Sequence, residues 1–214
     1  TAGNVYGDPV DVTVSLVPAP DILGENSVCQ YSTPSYSVAD DSGHDYNWSL
    51  PDGGGEIISG AGTHEIVVEW KDFGTRSVEV AVGVAGTSNC EGVDNREVEV
   101  HETPEPDVTA PDQVCYPLAV DLDAGDAPTG STTFSYSWTA DPGIGSFDDP
   151  NSSKEQSYTP DDNPGQASIP VTFDVIIEND EKPGCNATGS VTTDIYRRPE
   201  TGNTYHVPND FDQN

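Results

Sequence analysis

Residues 65–84 read EIVVEWKDFGTRSVEVAVGV, and the architecture of the chain turns on this run. Ile66, Val68 and Trp70 fall on one side of a period-2 pattern, with Val67 and Glu69 on the other. After a turn at Asp72–Gly74 the pattern resumes. Val78, Val80, Val82 and Val84 alternate with Ser77, Glu79, Ala81 and Gly83. Alternation at this period is the mark of strands with one face in a core, and β-branched residues suit a pleated surface. On either side of this run, Tyr46, Trp48 and Leu50 share a face opposite Asn47 and Ser49, while Val171, Phe173, Val175 and Ile177 alternate far downstream. Turn residues separate the runs, as at 52–55 (DGGG) and 161–165 (DDNPG). Short strands with one apolar face each need a second sheet to cover that face, which predicts antiparallel β-sandwiches.

The same features recur at a spacing of about 90 residues, the signature of tandem modules. An alternating valine strand followed by a Pro-x-Pro or Pro step occurs at 9–21, 96–107 and 190–199. The first two run on to Val28-Cys29 and Val114-Cys115. Between them, YNWS at 46–49 matches YSWT at 136–139, and a late cysteine, Cys90 or Cys185, precedes each closing strand. The expected organisation is a last strand and linker of a preceding module at 1–20, one sandwich at 21–104, a second at 105–199, and a linker opening another module at 200–214. The proline-bearing junctions at 17–21 and 103–107 are expected to be short and semi-rigid.

Four cysteines allow three pairings. The repetition selects Cys29 with Cys90 and Cys115 with Cys185, one disulfide inside each module, worth about 4 kcal/mol apiece in the chain-entropy model. Reduced thiols and a shared metal site are the alternatives, and the latter lacks the C-x-x-C spacing that zinc favours. Oxidised pairs imply an extracellular or periplasmic compartment. Trp48 and Trp138 each lie between two cysteines as in immunoglobulin domains, but the first cysteine precedes the second strand, so the modules are Ig-like in architecture only.

Composition narrows the function. The 214 residues carry 38 acidic and 7 basic side chains, a formal charge of −31, which repels nucleic acid and anionic lipid over the whole surface. No apolar run approaches the ~18 residues of a membrane span. Apolar residues are only 33% of the chain, so the core is thin, built from grouped valines with three Trp and nine Tyr.

Taken together, VC at 28–29, YSV at 36–38, YNWSL at 46–50, GGEIISG at 54–60, IVVEW at 66–70 with Gly74, and NCEG at 89–92 resemble the PKD-like, Ig-like modules of Bacteroidota cell-surface proteins. The second copy is more diverged: it keeps VC at 114–115, YSW at 136–138 and GC at 184–185, lacks the Gly-Gly segment, and has Tyr158 near the place of Trp70. VPNDFDQN at 207–214 resembles the opening of the gliding-motility-associated, type B C-terminal sorting domain. The resemblance implies tandem arrays, export by type IX secretion, and a place on the extracellular face of a bacterial cell.

No pattern for catalysis emerges. His44, His64, His101 and His206 are scattered without counterparts in the other repeat, and no nucleophile elbow, phosphate loop or dinucleotide fingerprint is present. No cofactor is required by anything in the chain. Calcium is the one candidate ligand, because hard cations take clustered carboxylates in loops. Asp121, Asp123 and Asp126 alternate like a calcium loop, although Thr132 stands where an EF-hand needs a bidentate Glu. Asp40, Asp41 and Asp45 occupy the corresponding connection of the first module; 148–149 and 161–162 are further acidic pairs. Trp48, Trp70 and Trp138 share faces with apolar neighbours and are expected in cores rather than stacked on sugars. These readings converge on a non-catalytic stalk, adhesin shaft or filament subunit whose partners are neighbouring modules or other copies of itself. The alternatives are a module binding surface glycans or a partner protein, and an accessory segment of a secreted enzyme.

Overall fold

The computed structural model describes residues 16–86, 90–125, 132–148, 152–161 and 167–197, and every regular element among them is a strand. The chain divides into two compact units, Thr1–Thr103 and Pro104–Asn214.

In the first unit the strands are β1 (Leu23–Gly24), β2 (Ser27–Cys29), β3 (Ser35–Ser37), β4 (His44–Ser49), β5 (Gly55–Ser59), β6 (Glu65–Trp70), β7 (Gly74–Val84) and β8 (Glu91–His101). They form two four-stranded sheets, ordered β1-β3-β6-β5 and β2-β8-β7-β4. The alternating residues of 65–84 do what their period requires. Ile66, Val68, Trp70, Val78, Val80 and Val82 are buried between the sheets with Ile22, Tyr36, Trp48, Val98 and Val100. The indole of Trp70 donates to the Tyr36 hydroxyl at 3.2 Å, and the two rings meet edge to face. Two polar groups of β8 fasten β1: Asp94 Oδ2 accepts the Ile22 amide at 2.8 Å, and Arg96 donates to the carbonyls of Ile22 and Gly24 at 2.9 and 2.7 Å.

The second unit repeats the plan with β9 (Gln113–Cys115), β10 (Val120–Asp123), β11 (Phe134–Asp141), β12 (Gly145–Phe147), β13 (Glu155–Pro160), β14 (Ser168–Asn179) and β15 (Asn186–Tyr196). Its sheets are β10-β13-β12 and β11-β14-β15-β9. The tryptophan register is shared: Trp48 faces Val80 across β4 and β7, and Trp138 faces Val175 across β11 and β14. Each indole then donates to a carbonyl just ahead of a strand of the opposite sheet, Trp48 to Thr63 at 2.8 Å and Trp138 to Ser153 at 2.9 Å. Each tryptophan thus pins one sheet to the other.

Four expectations are corrected. One sheet of each module is mixed rather than purely antiparallel, because β2 with β8 and β9 with β15 pair in parallel, while β1-β3-β6-β5 and β10-β13-β12 are antiparallel throughout. Cys29 closes β2, the second strand of its module, instead of preceding it, whereas Cys115 closes β9, the first strand of its module, and precedes the second as expected. Tyr158 does not take the place of Trp70. Gly55 pairs with Trp70 and Gly145 with Pro160, so Tyr158 stands one pleat back, at the register of Val68. There it meets Phe147 and Phe173 edge on, with centroids 5.1 and 4.9 Å apart, an aromatic group that replaces the Tyr36–Trp70 pair.

The fourth correction concerns the disulfides. Neither expected pair is made, because Cys90 and Cys115 are free thiols. The reason lies in strand geometry within each module. Cys29 is paired in register with His101, the last residue of β8, while Cys90 immediately precedes its first residue. At ~3.3 Å per residue the eleven residues of β8 hold them about 35 Å apart, against the roughly 4–7 Å between Cα atoms that a disulfide spans. The second module is built alike: Cys115 pairs with Tyr196 at the end of β15, and Cys185 precedes its start. The expected strand before residue 16 and the sorting-domain segment at 207–214 lie outside the described residues.

Candidate functional site: cysteine-bearing ends and an acidic groove

Each module has an entry end and an exit end, and the linker chemistry shows which is which. In the first, Pro18 and Pro20 lie on Gly92 near the start of β8; a Cβ on Gly92 would come 1.9 Å from the Pro18 carbonyl oxygen. In the second, Pro106 and Val108 lie on Gly189 of β15, where a Cβ would come 2.3 Å from Val108 Cγ2. The incoming chain therefore packs directly on backbone at the end that carries Cys90 or Cys185. Both cysteines immediately precede the closing strand there, tied by Val84 N to Cys90 O at 3.1 Å and Asn179 N to Cys185 O at 3.0 Å.

The exit end is where the closing strand leaves. The Gln30 amide donates to the His101 carbonyl at 2.8 Å, and Thr103 Oγ1 donates to the Gln30 carbonyl at 2.9 Å, so the segment after Cys29 grips the departing chain. Tyr116 N donates to Tyr196 O at 2.9 Å just past Cys115. Cys115 is exposed and Cys90 half-buried. Sequence reasoning paired the cysteines by repeat and missed these ends. One signal was available: the late cysteine sits at one end of an eleven-residue extended run whose other end is the linker. The early cysteine's place carried no such signal, since it depends on parallel pairing between strands some seventy residues apart.

The acidic candidates are dispersed. Asp121 and Asp123 stand on β10 flanking buried Leu122, and with Asp148 and Glu155 they line an open groove of about 660 Å³. Asp121 Oδ1 accepts from Ser157 Oγ at 3.3 Å, while Asp123 Oδ1 caps the Gly125 amide at 2.9 Å and lies 3.8 Å from Lys154 Nζ. Asp126 lies outside the described residues. In the first module, Asp40 approaches His64 at 3.7 Å, Asp41 approaches His44 at 3.5 Å, and Asp45 is exposed on β4. Among the described residues no three acidic, His or Cys side chains converge as ligands to one ion.

The tryptophans are interior: Trp48, Trp70 and Trp138 are all buried. Of the end-located tyrosines, Tyr31 is exposed, in a left-handed backbone conformation, whereas Tyr116 and Tyr196 are half-buried. A second groove, about 350 Å³, lies at the entry end of the first module, with Pro18, Leu23, Asp41, His44 and Tyr46 in its walls.

Residues 15–100 match the family model of the PKD-like domain. No curated protein matches the chain. Solved structures to which it is similar include mouse cadherin-23 EC22-24 (14% identity, 84% of this chain and 67% of that one, TM-score 0.36). Others are the human desmocollin-1 ectodomain (9%, 88% and 39%, 0.35) and the fibronectin(III)-like modules of Clostridium thermocellum CbhA (12%, 83% and 94%, 0.34). At these TM-scores the likenesses bear on no functional point.

Proposed function

We propose that the chain is a non-catalytic structural segment of an exported bacterial surface protein, two sandwich modules that serve as part of a stalk, adhesin shaft or filament. The observation that carries this reading is that each module takes its chain in at one end and releases it at the other, with a Pro-bearing linker packed on backbone at the entry. Such a module adds length when repeated. The PKD-like match over 15–100 supports it, because domains of that kind are typically extracellular structural or adhesion modules. Assignment to a type IX-exported protein of a Bacteroidota cell is the finer part of the proposal and rests on the resemblance at 207–214.

The test is electron microscopy of the native surface protein that contains this chain. Beaded stalks or fibres are the expected result; compact particles without tandem beads overturn the reading. Binding of polysaccharide or a partner protein is the second reading, favoured by the groove beside Tyr46 and His44. It predicts that glycan or partner binding falls on Tyr46→Ala while the fold is retained.

A further inference from the structure

A sheet edge left open invites another strand, and folded chains usually blunt their edges with short strands, bulges or charge. The four sheets present eight edges, and among the described residues seven of them are blunted. β1, β2, β9 and β12 are two or three residues long. β5 is broken by a bulge between Ile57 and Ser59. β10 carries Asp121 and Asp123 and is bridged by Thr109. β4 opens on His44 and Asp45. The remaining edge is β11, which runs eight residues, Phe134–Asp141, with no charge before its last position.

One contact sets the phase of its hydrogen bonds. The Asp180 amide donates to the Thr133 carbonyl at 3.0 Å, so Thr133 and every second residue after it bond toward β14. Phe134, Tyr136 and Ala140 therefore turn their backbone groups to the other side. Ser135, Ser137 and Thr139 present exposed side chains on the outer face of the sheet.

We propose that β11 pairs with β11 of a second copy of this chain, antiparallel about a two-fold axis at Ser137, so that two four-stranded sheets become one of eight. This inference deepens the structural reading by naming a partner for the stalk, and it rests on that reading. The register sets Phe134 of one copy against Ala140 of the other and Ser135 against Thr139, which uses the whole uncharged length. A body of charge −31 can approach its copy closely only where charge is missing. Across the axis the outer row is Thr188, exposed Ile176 and Ser137, then the same three residues of the copy, none of them charged. The acids on the flanking rows are Asp174, opposite Thr139, and Glu178, opposite Ser135. Each faces its counterpart across three strand spacings, about 14 Å, beyond the screening length of about 8 Å at physiological salt.

Sedimentation equilibrium of the full chain over a range of salt is the test. The expected result is a monomer–dimer equilibrium that tightens as salt rises. Ser137→Asp sets two carboxylates about 5 Å apart and is expected to weaken the dimer about tenfold. Thr188→Asp puts the same charge on the same row two strands further in and is expected to leave it unchanged. Ser135→Lys combined with Thr139→Glu places opposite charges in both cross-strand pairs and must retain the dimer, whereas Ser135→Glu combined with Thr139→Glu must dissociate it. Hydrogen exchange at the amides of Phe134, Tyr136 and Ala140 is expected to slow as protein concentration rises, with β4 unaffected. A chain that stays monomeric at millimolar concentration in high salt overturns the proposal, as does a dimer that ignores Ser137→Asp or protects β4 instead. Beaded stalks that remain single would sink the pairing and leave the stalk standing; compact particles joined through β11 would do the reverse.

Discussion

Trp48 and Trp138 perform one task twice. Each buries a large ring between the sheets and gives its single N–H to a carbonyl just ahead of a strand of the opposite sheet, so replacing it removes packing and that hydrogen bond. Trp48→Phe keeps most of the ring and loses the bond; the expected cost is about 1–3 kcal/mol, read as a lower denaturant midpoint at unchanged slope. Gly92→Ala tests the entry contact: its Cβ collides with the Pro18 backbone, and the strain is expected to cost about 1–3 kcal/mol or to detach the linker. The phenols give a pH signature. Burial holds the Tyr36 hydroxyl above its ordinary value against the opposing pull of the Trp70 hydrogen bond and nearby Arg96, and burial with nearby Asp161 does so for Tyr158. A group whose folded value is raised stabilises the fold fully below its unfolded value near 10 and loses that contribution as pH rises through the folded value. Alkaline unfolding is therefore expected to begin above about pH 10, with tyrosinate absorbance rising together with loss of the near-ultraviolet signal. Tyrosinate appearing with the fold intact would refute it.

Among the strands, two short ones matter most. β2 and β9 are three residues each, yet by pairing in parallel with the closing strand they carry Cys29 and Cys115 to the exit ends. Thiol mapping checks this directly. Alkylation of the unreduced chain is expected to label Cys90 and Cys115. If Cys90 or Cys115 resists alkylation because it is disulfide-bonded to the other cysteine of its own module, the assignment fails. Arg96 is the clamp between strands, donating from β8 to two carbonyls around β1. None of its partners could be foreseen from the chain, since they lie more than seventy positions away. The alternation at 65–84, by contrast, is enough to place Ile66, Val68, Trp70, Val78, Val80 and Val82 inside. The slip at Tyr158 has a local cause. Without the Gly-Gly segment that marks the first copy, nothing in the sequence sets the register of β13, and the Gly145–Pro160 pair places it two residues from the expected position.

Charge governs the behaviour of the molecule as a whole. Thirty-eight carboxylates outnumber seven basic groups, so repulsion prevails in the folded and assembled states alike. Ion pairs such as Lys71 with Glu56 and Glu69 are exposed and contribute little against it. Raising salt from low to physiological levels is expected to raise the melting temperature and to promote any self-association. Calcium calls for a separate arm: a rise in melting temperature with calcium beyond that of magnesium at equal ionic strength would support ligation near Asp121 and Asp123, whereas equal responses would mark both ions as screening charges.

The two-layer architecture, the inner faces and the buried tryptophans are all legible in the chain alone. Period-2 alternation states which side of a strand is apolar, and repetition states how often the plan recurs. Which cysteines could meet is settled by the folded arrangement and by nothing short of it. Alternation assigns faces and says nothing of ends, and the end at which Cys29 or Cys115 lies follows from a parallel pairing between the first and last strands of a module. Repetition sets the two cysteines of a module side by side in the sequence pattern; an eleven-residue strand keeps them apart in space.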